Sequence, residues 1–247
     1  MSASLSFSDV TFRYPGESQP VTEHLSFSVE PGEFVALVGP SGCGKSTVFR
    51  LLNHLERPDS GEIRIGDGAR CGYMPQKDLL FPWRTVAANV RLPLEIRGGL
   101  AAAEMDRRAG EALQAVGLAG WGEKLPRELS GGMRQRAAFA RTLMTGAEIL
   151  LLDEPFSALD YLTRLSMREW LLSQWEREQK TILFITHDVE EAVFLSTRIL
   201  AAEKTPVTRF REYRVPLPYP RSEKSLSDPA ALALKEQLIQ LFREGFA

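Results

Sequence analysis

The 247-residue chain is 44% hydrophobic and 25% charged, with a formal net charge of −2. That is the composition of a globular protein able to bury a substantial core, and its charge gives no electrostatic reason to expect nucleic acid as a partner. Cys43 and Cys71, its two cysteines, read as free thiols of a reducing compartment. The longest apolar runs are too short to span a bilayer, and no basic-then-apolar segment opens the chain, so a cytosolic location is expected unless a partner holds it at a membrane.

Residues 5–30 alternate apolar and polar through Leu5, Phe7, Val10 and Phe12, then Leu25, Phe27 and Val29. This predicts half-buried antiparallel strands, with turns at Pro15-Gly16 and Pro31-Gly32. Tyr14, at a strand end, offers either a base-stacking face or an ordinary half-buried ring. The apolar run Phe34–Val38 leads into Gly39-Pro40-Ser41-Gly42-Cys43-Gly44-Lys45-Ser46-Thr47, and helical Val48–Leu52 follows. Strand, Gly-x4-Gly-Lys-Ser and helix in that order are the phosphate-loop pattern. Glycines let successive N–H groups converge on one anion, and the helix N-terminus adds donors and the positive end of its dipole. Lys45 supplies charge for the β- and γ-phosphates, and Ser46 a hydroxyl for Mg²⁺. A nucleoside triphosphate is the expected ligand.

Turns at Arg57–Gly61 and Gly66-Asp67-Gly68 flank a short strand at Glu62–Ile65. The cluster Leu79-Leu80-Phe81-Pro82-Trp83 suits neither helix nor strand, and Thr85 to Leu118 reads as a mostly helical insert stopped by Gly117. Ser130 is an N-cap before Gly131-Gly132 at the mouth of a helix through Leu143, a second cluster of backbone donors. Ile149–Leu152 and Thr181–Ile185 are continuous apolar runs suited to parallel strands covered on both faces. Between them Tyr161, Leu165, Leu172 and Trp175 form a helical stripe that Arg168 interrupts. Beyond Leu200, Pro206, Pro216, Pro218 and Pro220 disfavour a long helix until Asp228-Pro229 opens an amphipathic one carrying Leu234, Leu238, Leu241 and Phe242.

Asp153 and Glu154 end a buried strand, where ligands sit in open parallel sheets. One carboxylate can hold Mg²⁺ while the other polarises a water for attack on the γ-phosphate. His187 ends the next strand and is placed to reach the same phosphate; His24 and His54 have no such setting.

From about Leu5 to Leu200 these elements resemble the ATP-binding cassette ATPases. The phosphate loop matches that family's first motif, and Leu129-Ser130-Gly131-Gly132-Met133-Arg134-Gln135 looks like its diagnostic signature. The resemblance implies an α/β fold: a phosphate-loop core with a mostly parallel sheet, an antiparallel β subdomain and a helical insert. One ATPase domain would then comprise residues 1–76 and 145–200 as core, 77–144 as helical insert and 201–247 as a C-terminal extension. It implies Tyr14 as the base-stacking aromatic, Ser46, Gln76 and Asp153 at Mg²⁺, Glu154 as catalytic base and His187 as γ-phosphate switch. It also adds Gln135 and the Asp160 end of Ser157-Ala158-Leu159-Asp160 to the nucleotide contacts. Two cassettes of that family dimerise head to tail, so Ser130, Gly131 and Gly132 would meet ATP held by the opposite subunit.

Met74–Val86 is similar to cassettes of bacterial importers for nitrate, sulfonates, taurine and thiamine-precursor pyrimidines. This implies permease partners at the cytoplasmic face of the inner membrane, and indirectly a solute-binding protein. Residues 66–72 form a shorter link than in many relatives, and 203–224 follow no familiar pattern. A soluble cassette acting on nucleic acid or ribosomes is the alternative, although neither a coiled-coil insert nor a second cassette is visible. A small-molecule kinase would leave Ser130-Gly131-Gly132 without a task.

Overall fold

Alternating burial along Leu5–Phe12 (β1) and Thr22–Val29 (β2) follows the alternating sequence, and the two strands pair antiparallel. The computed structural model describes residues 3–66 and 68–244; the expected turn at Gly66-Asp67-Gly68 thus falls in part outside the described residues. Ser60–Ile65 (β4) pairs with the other edge of β1, giving a three-stranded antiparallel sheet.

The second sheet is built from the continuous apolar runs. Phe34–Val38 (β3), Ile149–Asp153 (β6) and Thr181–Ile185 (β7) are buried throughout, as strands covered on both faces must be. With Cys71–Met74 (β5), Arg198–Ala201 (β8) and Arg211–Arg214 (β9) they form a six-stranded sheet in the order β5-β6-β7-β3-β8-β9, parallel except for β9. Register decides where the chemistry goes. Met74 pairs with Leu152, Asp153 with Ile185, and Leu37 with Ile185. The residues after these strands, Gly39 onward, Gln76, Glu154 and His187, therefore emerge along one carboxyl edge of the sheet.

One apolar core, including Phe7, Phe27, Val35 and Leu151, lies between the two sheets around Lys45–Leu52 (α1). The other lies across the parallel sheet and holds Val86–Arg97 (α2), Ala102–Ala115 (α3), Gly131–Leu143 (α4), Tyr161–Glu178 (α5) and Val189–Leu195 (α6). Pro229–Glu244 (α7) closes the same core through Leu234, Leu238 and Leu241. Among the described residues no helix is long and apolar enough to cross a membrane.

Two expectations need correction. Tyr161 belongs to no buried stripe, because the first turn of α5 stands at the surface and leaves Tyr161 69% exposed. Arg168 does not interrupt the buried face but belongs to it: its guanidinium pairs with Glu223 at 2.6 Å and lies over the Phe194 ring. Residues 203–224, without a pattern in the sequence, supply β9 and the approach to a short 3-10 turn at Glu223–Ser227.

Candidate nucleotide site

The turn from β3 into α1 is shaped by glycine. Gly44 has φ +101°, and a Cβ there would stand 2.4 Å from Val21 Cγ1, so both backbone conformation and space require glycine. No side chain caps α1, which leaves its first N–H groups available to an anion. Lys45 is folded back, its ammonium donating to the Gly39 carbonyl at 2.9 Å and the Pro40 carbonyl at 2.7 Å. Burial raises the pKa of the Cys43 thiol against the opposing pull of Lys45, so Cys43 stays a neutral packing group. Both cysteines are free thiols.

A cleft of about 300 Å³ is lined by Tyr14, the phosphate-loop residues Ser41 to Thr47 except Cys43, Gln76 and Glu154, with Val21 and Ile185. The Tyr14 hydroxyl is 3.1 Å from Thr47 Oγ1, and its ring meets Phe12 edge to face. A larger cleft of about 430 Å³ lies between α3, the end of α4 and α5. It mixes Leu143, Met144 and Trp170 with Arg108, Arg177 and Lys180, but only the smaller cleft brings the phosphate loop together with Gln76 and Glu154.

Asp153 is buried at the end of β6. Desolvation raises its pKa, while the hydrogen bond from Ser46 and the charge of Lys45 act the other way. Glu154 follows in the left-handed region at φ +50°. Its N–H is held by the Ile185 carbonyl at 3.0 Å, and its own carbonyl accepts from Gln135 Nε2 at 2.8 Å and from the Ser157 hydroxyl at 3.0 Å. This leaves the carboxylate facing the cleft, where Gln76 Nε2 donates to it at 3.1 Å and His187 Nδ1 stands 3.4 Å away. Three side chains from three strand ends thus converge.

The other expected residues divide. Ser130 caps α4, accepting from the Met133 N–H at 3.3 Å, and both Ser130 and Gly131 are exposed. A Cβ on Gly132 would press on the Ala158 carbonyl at 2.9 Å. None of the three lines the Lys45 cleft. Gln135, expected at the nucleotide, is turned inward: its amide also accepts from the Ala158 N–H at 2.8 Å and reaches Ser157 Oγ at 3.3 Å. It ties α4 to the loop after Glu154. Asp160 caps α5 by accepting from the Thr163 N–H at 3.0 Å, and these bonds lower its pKa.

Some supports left no mark in the sequence. Asn89, wholly buried on α2, bonds the Phe81 N–H and the carbonyls of Phe81, Arg84 and Thr85. Arg141 donates to the carbonyls of Asp78 and Leu79, and Arg134 pairs with Asp78 at 3.0 Å. Together they fix the segment after Gln76, from which Trp83 stands 74% exposed.

The ABC transporter family model matches residues 22–157. The chain is 48% identical over 217 residues to the formylaminopyrimidine import ATP-binding protein ThiZ of Halalkalibacterium halodurans, covering 86% of this chain and 84% of that protein. It is 40% identical over 248 residues to the taurine import ATP-binding protein TauB of Chromobacterium violaceum, covering 96% and 95%. Among solved structures, the dimeric ATP-binding cassette MJ0796 bound to ADP and Pi superposes with a TM-score of 0.78 at 30% identity, over 85% of this chain and 98% of that one. The phosphate loop, the convergent strand ends and these likenesses lead to one conclusion: the chain belongs to the ABC transporter family and is one of its ATPase cassettes.

Proposed function

We propose that two copies of this chain clasp two Mg²⁺-ATP molecules head to tail, and that hydrolysis drives a bacterial membrane importer for a small polar solute of the sulfonate, taurine, nitrate or pyrimidine-precursor kind. Tyr14 stacks on the base, and Lys45 leaves its loop carbonyls for the β- and γ-phosphates. Asp153 and the Ser46 hydroxyl, which lowers the Asp153 pKa, are oxygen donors of the type Mg²⁺ takes alongside substrate phosphates, with Gln76 as a further contact. When bound, the ion neutralises charge on the phosphate oxygens.

Glu154 accepts a proton from a water as its oxygen bonds to the γ-phosphorus. The bridging bond to the β-phosphate breaks, and ADP leaves with that electron pair. Gln76 and His187 orient the carboxylate and the γ-phosphate. The observation that carries the dimer is that Ser130 and Gly131, exposed at the N-terminus of α4 where backbone N–H groups lack helical partners, lie outside the Lys45 cleft. A second subunit gives them a phosphate to bind. The import names of ThiZ and TauB support the importer reading, and exposed Trp83 suits a permease contact.

Glu154→Gln should retain ATP binding and slow phosphate release by about 100-fold or more, the span of a lost general base. A fast, fully active variant would remove Glu154 from that role. Retention of a polytopic membrane protein on purification supports import, whereas bound nucleic acid would overturn it.

A further inference from the structure

The extension beyond Leu200 reaches back to the nucleotide site through α6. This helix has seven residues, too few to hold its shape alone in water, and spans only about 10 Å. At its start, Asp188 caps it directly after His187, accepting from the Glu190 N–H at 2.8 Å. Behind it, the buried Glu191 carboxylate accepts from the Thr186 hydroxyl at 2.6 Å. From α7, Lys235 pairs with Glu190.

The far end is held chiefly by Arg221, with help from Tyr219. Arg221 is buried, and its Nη1 donates to the carbonyls of Val193 at 2.9 Å, Phe194 at 3.0 Å and Ser196 at 2.9 Å. Its Nη2 donates to Leu217 O at 2.9 Å, and the guanidinium lies 3.9 Å from the centre of the Tyr219 ring. The Tyr219 hydroxyl takes the remaining carbonyl of that turn, Leu195 O, at 3.0 Å, and its ring packs on Trp175. A cation at a helix C-terminus is favoured by the dipole, and the planar guanidinium serves three carbonyls from Nη1 and a fourth from Nη2 while lying on the Tyr219 ring, a combination a point ammonium does not reproduce.

We infer that Arg221 is a positioning residue for ATP hydrolysis: it clamps the carbonyl end of α6 and so fixes the helix whose N-cap, Asp188, directly follows His187. The inference rests on the γ-phosphate role proposed for His187. A misplacement of about 1 Å at a reacting group costs as much as about 100-fold, so a partly released α6 should show in turnover more than in ATP binding.

The test uses Arg221→Lys, which keeps the charge and loses the fork, and the milder Tyr219→Phe. The chain has three histidines, His24, His54 and His187, so imidazole NMR lines report directly, with His187→Ala assigning the line of interest. The expected result is a kcat lowered about tenfold in Arg221→Lys and about threefold in Tyr219→Phe, with KM for ATP within about twofold. The His187 line should shift or broaden while the His24 and His54 lines stay fixed. Should Arg221→Lys unfold, all lines move together and Tyr219→Phe decides. A folded variant with an unmoved His187 line, or a moved line with unchanged kcat, overturns the inference. An unchanged kcat in His187→Ala overturns instead the role proposed for His187.

Discussion

At φ +50° Glu154 occupies a backbone region that costs a β-substituted residue about 1 kcal/mol or more. Bonds from Gln135 and Ser157 to its carbonyl, and from its N–H to Ile185, hold it there. Side chains alternate along a strand, and the left-handed turn after Asp153 redirects the next carboxylate toward Gln76 and His187. Asp153 carries a cost of another kind. Burial raises its pKa above the usual value, so the folded state binds the proton more tightly than the unfolded chain. The sign follows: the penalty is absent below the unfolded pKa, grows as pH rises toward the native value, and persists at neutral pH. Asp153→Asn should therefore raise the Tm at pH 7 by a few degrees while ATPase activity is lost. Scanning calorimetry across pH should show that gain fade below about pH 4, the unfolded carboxylate range. A lower Tm at pH 7 would contradict this account of Asp153.

Among the elements, those specified by local pattern were legible and those specified by remote partners were not. The buried strands β3, β6 and β7 and the capped helices α4 and α7 follow from apolar runs, Ser130 and Asp228-Pro229. β5 was missed because Gly72 breaks its pattern; a Cβ there would stand 2.7 Å from Thr145 Oγ1, so glycine admits the loop after α4. β9, Arg211-Glu212-Tyr213-Arg214, is a charged edge strand, which periodicity does not distinguish from loop. Arg168 read as a flaw because Glu223 lies 55 positions away. Phosphate-loop spacing located Lys45 and Ser46, yet the inward turn of Gln135 depends on Ser157 and Ala158, which spacing does not reveal. Asn89 is the sharpest such case. Its four bonds to the Phe81–Thr85 segment make that irregular stretch a fixed surface. Asn89→Ala should cost about 2 kcal/mol, or about 4–8 °C in Tm. A variant melting with the parent protein would show that the segment is held elsewhere.

For the molecule as a whole, the two donor clusters divide the labour. Lys45 and α1 face the cleft beside Glu154, whereas the exposed Ser130 and Gly131 lie outside it. Gln135 joins them mechanically, since it bonds both the Glu154 carbonyl and the Ala158 N–H from within α4. In the proposed dimer, a phosphate docked on the mouth of α4 would bear on the backbone that aims Glu154, and ligand bound between subunits would stabilise the pair by mass action. The direct measurement is the solution mass of Glu154→Gln with saturating Mg²⁺-ATP, with and without a second substitution, Ser130→Arg, that fills the mouth of α4. The account predicts twice the chain mass for Glu154→Gln, and the single-chain mass for the double variant, which still binds ATP at its own Lys45 cleft. A Glu154→Gln protein that stays at single-chain mass, or a double variant that pairs as readily, would contradict it.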